Sequence, residues 1–158
     1  MRVQDLMTRQ VHSCRSSDSL EQAAQLMWNF DCGCVAVCDG DGASRLLGMI
    51  TDRDICMSAL FEGRALKDLH VSEAMSRSLQ TCRVSDALGK AERIMQAARI
   101  RRLPVLDEQD ALVGVISLAD LAREAARERT RRGKEITETE VGDTLASICA
   151  SPQHSAGA

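Results

Sequence analysis

Tyrosine is absent from this chain, tryptophan occurs once and phenylalanine twice. A core without aromatics has to be closed by Ala, Val, Leu, Ile, Met and Cys, which fill space only when elements approach closely. The same scarcity removes the stacking platforms that hold single-stranded nucleic acid. An excess of positive charge is missing too. Twenty Lys and Arg stand against 23 Asp and Glu, a formal net charge of −3, so no basic field recruits nucleic acid. No apolar run reaches the roughly 18 residues of a membrane span. The opening MRVQDLMTRQ is polar from its first turn, so neither an export signal nor a membrane partner is expected. Seven cysteines, an odd number scattered along the chain, do not form a secreted disulfide framework. The expectation is a reduced, cytoplasmic chain whose cysteines serve mostly as small buried hydrophobes.

What is present is a duplication. Of the 158 residues, 44% are apolar, enough for one domain or two small fused ones. VQDLMT at Val3–Thr8 returns as VSEAMS at Val71–Ser76, and Met7 and Met75 stand 68 residues apart. The same offset links Cys14 to Cys82, Asp18 to Asp86, Met27 to Met95 and Asp39 to Asp107. It then falls to 66, pairing Gly48 with Gly114, Thr51 with Ser117 and Asp54 with Asp120. One gap, placed where DGDGASRL shortens to DEQDAL, accounts for the change. Register kept through a single turn-sited gap identifies an internal repeat.

Each copy reads as β-α-β-β-α. An extended entry (Val11–Cys14, Leu79–Cys82) leads into an amphipathic helix, with Asp18 and Glu21 at capping-box spacing ahead of the Leu20, Ala23, Met27 stripe. Two short strands follow, Val35–Cys38 with Leu46–Ile50 and Leu103–Leu106 with Leu112–Ile116, and a helix opens after Thr51 and Ser117. One copy cannot cover its own sheet. The expected architecture is therefore α/β (α+β), with two copies packed through their sheets about a pseudo-two-fold axis. The first copy spans residues 1–64, with Phe61–His70 as linker, and the second 65–130. The polar tail 131–158 holds one short helix, Val141–Ile148, and ends in a disordered SPQHSAGA.

One constellation occurs twice: GMITDRD at Gly48–Asp54 and GVISLAD at Gly114–Asp120. Each is a strand end, a hydroxyl, and an Asp three residues on at a helix start. Two readings fit. A Ser or Thr N-cap with an acid at N3 satisfies orphan N–H groups and needs no ligand. The same geometry makes an anion site beside a carboxylate able to accept both hydrogen bonds of a ribose diol.

The order V-x-x-x-M-[ST], amphipathic helix, L-P-V-L-D, then G-V-I-[ST]-x-x-D resembles the cystathionine-β-synthase (CBS) domain, and two copies in tandem resemble the Bateman module, over about Val3 to Arg127. The resemblance implies a non-enzymatic sensor that binds an adenosine compound (AMP, ADP, ATP or S-adenosylmethionine) between its repeats as a regulatory ligand. It implies no catalytic residues, no metal and no further cofactor. Asp54 and Asp120 would hold ribose, with Thr51 and Ser117 near the phosphates. Adenine would insert against Val11 and Ser13 with Cys32 and Gly33, and against Leu79 and Thr81 with Ile100. Arg101 and Arg102 would meet phosphate. In the first copy Ala36 replaces the counterpart of Pro104, and Gly33 and Cys34 stand where the second has the two arginines, so the clefts are unequal. A homodimer is implied, with output through oligomer change or an unidentified protein partner.

Other features compete with this reading. Cys32, Cys34 and Cys38, with Cys56, would give a thiol or metal sensor, although C-x-C-x-x-x-C within a strand reads first as core. DGDG at Asp39–Gly42 lacks the later ligands of a calcium loop and reads as a turn. His12 beside Cys14 has no third group to orient it. Trp28, matched by Gln96 in the second copy, is core or a partly exposed anchor. Glu124–Arg127 and Glu128–Arg131 read as pairs on a solvated helix. The remaining alternative is an interaction scaffold without a nucleotide.

Overall fold

The structure is a computed structural model that describes residues 1–40, 45–129 and 133–150. It is a mixed α+β fold with two three-stranded sheets. Helices α1 (Leu20–Asn29), α2 (Asp52–Glu62) and the short α3 (Val71–Ala74) accompany strands β1 (Ser13–Arg15), β2 (Cys34–Cys38) and β3 (Leu46–Thr51). Helices α4 (Leu88–Ala98), α5 (Leu118–Arg127) and α6 (Glu138–Cys149) accompany β4 (Cys82–Arg83), β5 (Arg102–Leu106) and β6 (Leu112–Ser117). The sheets run β1-β2-β3 and β4-β5-β6. In the first, β1 pairs parallel to β2 with Ser13 opposite Ala36, which requires the α1 crossover, and β2 pairs antiparallel to β3 with Cys34 opposite Thr51. β3 and β6 alternate buried and half-buried residues from Leu46 and Leu112 onward, the period-2 pattern of strands with one face in a core.

The described residues gather into two compact units, residues 8–40 and 45–81 with 106–114, and residues 1–7, 82–105, 115–129 and 133–150. The chain crosses over between them, and each unit is completed by the V-x-x-x-M segment of the other copy. In one unit the Val71 N–H donates to the Asp18 carbonyl at 2.8 Å. In the other the Val3 N–H donates to the Asp86 carbonyl at the same distance. The first unit's core joins Leu20, Ala23 and Met27 of α1 to Val35, Val37, Ile50, Ile55, Leu69 and Val71. Buried Leu88, Ala91, Met95, Leu103, Val105, Ile116 and Leu121 are the matching residues of the other. No aromatic takes part in either set.

Several local expectations change. The cap of α1 is Ser19, whose hydroxyl accepts the Gln22 N–H at 3.2 Å. Asp18 instead accepts the Arg15 N–H at 2.8 Å and ends the preceding turn. The Phe61–His70 linker also contributes to the core, where its Leu69 is fully buried. Asp39 closes its turn by accepting the Arg45 N–H at 3.0 Å, while residues 41–44 of the expected DGDG turn lie outside the described residues. Arg131 and the end at 151–158 lie outside them too. The tail helix begins at Thr137, which caps Glu140 at 3.2 Å, and α6 packs on α4 and α5. The face of α5 expected to be solvated is therefore covered. Glu124 and Glu128 are both buried, and Glu128 accepts the Glu135 N–H at 2.9 Å as the chain turns toward α6.

Candidate functional site

Thr51 is both the last residue of β3 and the N-cap of α2, with extended φ −114° and ψ 162° that turn its hydroxyl toward the helix start. Its Oγ1 accepts the Asp54 N–H at 3.1 Å, and Asp54 Oδ2 accepts the Thr51 N–H at 2.9 Å and hydroxyl at 2.7 Å. Ser117 repeats this at the head of α5: Asp120 Oδ2 accepts its N–H at 2.8 Å and hydroxyl at 2.6 Å. Both constellations are closed capping boxes in the sense the spacing allowed.

The two carboxylates then differ. Among the described residues, Oδ1 of half-buried Asp54 accepts nothing, whereas Oδ1 of buried Asp120 accepts the Arg123 guanidinium. The signal for this difference lies in the alignment of the two copies, where Arg123 stands opposite Met57.

A third strand of chain meets each helix start. The Asp52 N–H donates to the Gly33 carbonyl at 3.2 Å, and the Leu118 N–H to the Arg101 carbonyl at 2.9 Å. The approach is set by left-handed residues leaving the first helix of each copy, Asp31 (φ 48°) and Arg99 (φ 54°). They let the Cys32 and Ile100 N–H groups bond back to Met27 and Met95, both at 3.0 Å. Gly33 is thus brought to Thr51 and Asp54, and Arg101 to Ser117 and Asp120. A Cβ on Gly33 would lie 3.3 Å from Asp52 Oδ2, so an acid occupies the neighbourhood where the other copy has Arg101. Arg101 and Arg102 are exposed, and Ile100 is half-buried.

The other expected residues are placed as follows. Ser13 is exposed at the head of β1, and half-buried Val11 and Leu79 both pack against the cluster of Ala36, Cys38, Leu46 and Leu112. Thr81 is half-buried just before β4. Cys32 and Gly33, with Trp28, Asp52, Ile55 and Cys56, line a cavity of about 590 Å³ between α1 and α2.

The buried thiols are held in their protonated form. Burial, with Asp18 nearby, pushes the Cys14 thiol up to about 12, and burial with Asp86 does the same for Cys82. Burial, with Asp39, also raises Cys38. Such thiols stay protonated and unreactive near neutrality. His12 stacks on Phe30, with ring centroids 3.4 Å apart and planes 12° from parallel, so its ring is oriented by an aromatic face. Among the described residues no three His, Cys, Asp or Glu side chains converge on a position for a metal ion, Cys32, Cys34 and Cys38 included. No helix there is long and apolar enough to cross a membrane.

The model of the CBS domain matches residues 3–60 and again 71–127. The CBS domain-containing protein YhcV of Bacillus subtilis is 38% identical over 120 residues, 76% of this chain and 82% of that protein. Hypoxic response protein 1 of Mycobacterium tuberculosis is 32% identical over 119 residues, 75% of this chain and 81% of the relative. A crystal structure of Hypoxic Response Protein I with two coordinated zinc ions matches with a TM-score of 0.67 at 29% identity, covering 78% of this chain and 98% of that one. The CBS domain pair of protein MJ0100, crystallised with 5′-methylthioadenosine and S-adenosylmethionine, matches with a TM-score of 0.68 at 24% identity, over 78% and 98% of the two chains. The duplicated fold, the paired capping boxes and these matches agree: the chain belongs to the CBS domain family and carries two copies of the domain.

Proposed function

We propose that the chain is a non-enzymatic, cytoplasmic regulator that binds an adenosine compound at the helix starts of its two CBS repeats and works as a homodimer. The single observation that carries this reading is the hydroxyl–carboxylate pair, formed twice with the same hydrogen bonds and each time met by a loop whose backbone carbonyl accepts a helix-start N–H. A helix N-terminus offers N–H groups and a positive dipole end to phosphate or carboxylate. An aspartate oxygen beside it accepts ribose hydroxyls. At Thr51 and Asp54 that oxygen is ready. At Ser117 and Asp120 the ligand must take Asp120 from Arg123, whose side chain is 63% exposed and free to swing toward a phosphate. Arg101 and Arg102 add positive charge on the same copy. Val11, Ser13, Cys32 and Gly33 with the first pair, and Ile100 with the second, are the proposed adenine contacts. That the MJ0100 pair was crystallised with two adenosine compounds supports the ligand class.

One observation favours a second reading, a scaffold without nucleotide: both boxes satisfy themselves without a ligand. A thermal-shift panel of AMP, ATP, S-adenosylmethionine and 5′-methylthioadenosine separates the two. At about 100 times its Kd a ligand adds about 2.7 kcal/mol, roughly 5–10 °C for a chain of this size. No shift with any of the four refutes the sensor reading in favour of the scaffold.

A further inference from the structure

α6 is held lightly for a helix that covers two others. Of its residues, Glu138–Cys149, only Thr144 is buried, while Val141, Ser147 and Ile148 are half-buried and Leu145 is 46% exposed. The buried contact is polar: the Thr144 hydroxyl donates to the Glu92 carboxylate on α4. A hydrogen bond replaces one made to water and gains little, whereas burial of large apolar side chains is what holds most helices in place. Gly142 weakens the second turn further. A Cβ at that position would meet nothing within 4 Å, so packing does not ask for glycine there, and glycine inside a helix lowers its stability relative to alanine. A helix of 12 residues is marginal in water by itself, so α6 persists only while seated. Elements of low local stability are the ones that open first.

Its two ends are fixed differently. Ahead of the helix Ile136 is fully buried, and the Arg129 guanidinium meets Glu138 at 2.6 Å, so the start is anchored. At the far end the Arg101 guanidinium donates to Cys149 Sγ at 3.7 Å. Arg101 is also the residue whose carbonyl accepts the Leu118 N–H at 2.9 Å, at the first residue of α5. Its backbone is therefore fixed at the Ser117–Asp120 helix start while its side chain holds the last turn of α6. A thiol is a weak acceptor and a phosphate a strong one for a guanidinium, which it can meet with two parallel hydrogen bonds. A phosphate at the head of α5 and Cys149 compete for one side chain, and the phosphate wins.

We propose that α6 is a releasable strap that reports occupancy of the Ser117–Asp120 site: an adenosine 5′-phosphate draws Arg101 from Cys149 and unseats α6, whereas an adenosine compound without phosphate leaves it docked. This rests on the ligand reading above and adds an output to it. Hydrogen exchange along the full chain, free and saturated with AMP or adenosine, tests it beside isothermal titration of AMP, adenosine and S-adenosylmethionine. AMP should speed exchange of the α6 amides by about fivefold or more, the lower end of ordinary coupling between sites, and adenosine should leave them as in the free protein. Cys149→Ala should bind AMP yet show the same α6 exchange with and without it. Gly142→Ala favours the docked helix by about fivefold, and because coupling is reciprocal it should weaken AMP binding by up to about the same factor. The strap is overturned, and the ligand reading left standing, if AMP binds without speeding α6 exchange, if adenosine speeds it as AMP does, if Cys149→Ala responds as the wild type does, or if Gly142→Ala binds AMP with unchanged affinity. A chain that binds S-adenosylmethionine or adenosine but not AMP has the same consequence. One that binds none of the three removes the ligand reading and the strap together.

Discussion

Replacing Thr144 by Val removes one hydroxyl and almost no volume from a fully buried site. What it leaves behind is the Glu92 carboxylate, 7% exposed and stripped of the donor that α6 supplies. A buried acceptor left unsatisfied costs about 1–3 kcal/mol, more when it is charged. For a chain of this length that is a fall of roughly 3–10 °C in melting midpoint. The partner substitution makes the test quantitative. Glu92→Leu with Thr144→Val replaces both groups by apolar ones, and such a pair is close to neutral. The double variant should therefore be more stable than Thr144→Val alone by about 1 kcal/mol or more. Urea denaturation of the wild type, both single variants and the double variant gives the coupling. If the two single effects simply add, Glu92 and Thr144 are independent and the described seat of α6 is wrong.

Other expectations follow from the same geometry. The buried thiols Cys14 and Cys82 hold their protons up to about 12, against an ordinary value of 9.0 in an open chain. Their contribution is full below pH 9 and is lost as pH rises from there toward 12, because the unfolded chain ionises first, by at most about 1.4 kcal/mol per pH unit for each thiol. Urea midpoints at pH 8.0 and 10.5 should fall less steeply for Cys14→Ala with Cys82→Ala than for the wild type, and equal slopes would contradict this. Gly48→Ala would place a Cβ 2.7 Å from the Ser76 carbonyl oxygen, where backbone of the adjoining segment hydrogen-bonds to Met49. A clash with backbone at that distance should cost about 1–3 kcal/mol, and a melting midpoint within a degree of the wild type would show that the two segments part freely.

The parts of this structure legible in the sequence are those fixed locally. Register between the copies placed the four central strands to within a residue, while the entry strands β1 and β4 begin two and three residues later than Val11 and Leu79, and Thr51–Asp54 and Ser117–Asp120 formed the capping boxes their spacing allows. At α1 two acceptors compete at neighbouring positions, and Ser19 wins the cap because Asp18 is drawn back to the Arg15 N–H. What escaped was set by packing between distant segments. Leu69 reads as linker until the core that receives it is known, and Glu124 and Glu128 read as solvated until α6 lies over them. The exchange of the Val3 and Val71 segments is invisible locally because both have the same pattern and each fits either unit. Trp28 reads as core or anchor on periodicity alone, and its exposure decides for the surface.

Isothermal titration of S-adenosylmethionine and AMP into the wild type, Asp54→Ala and Asp120→Ala bears most directly on the proposed ligand function. Each substitution removes the N3 half of a capping box and leaves the Thr51 or Ser117 N-cap in place, a loss of about 1 kcal/mol, so both variants should stay folded. At least one adenosine compound should bind the wild type, and each variant should lose the heat of its own site. Wild-type protein that takes up none of them, or variants that bind as the wild type does, would leave these two helix starts as caps alone.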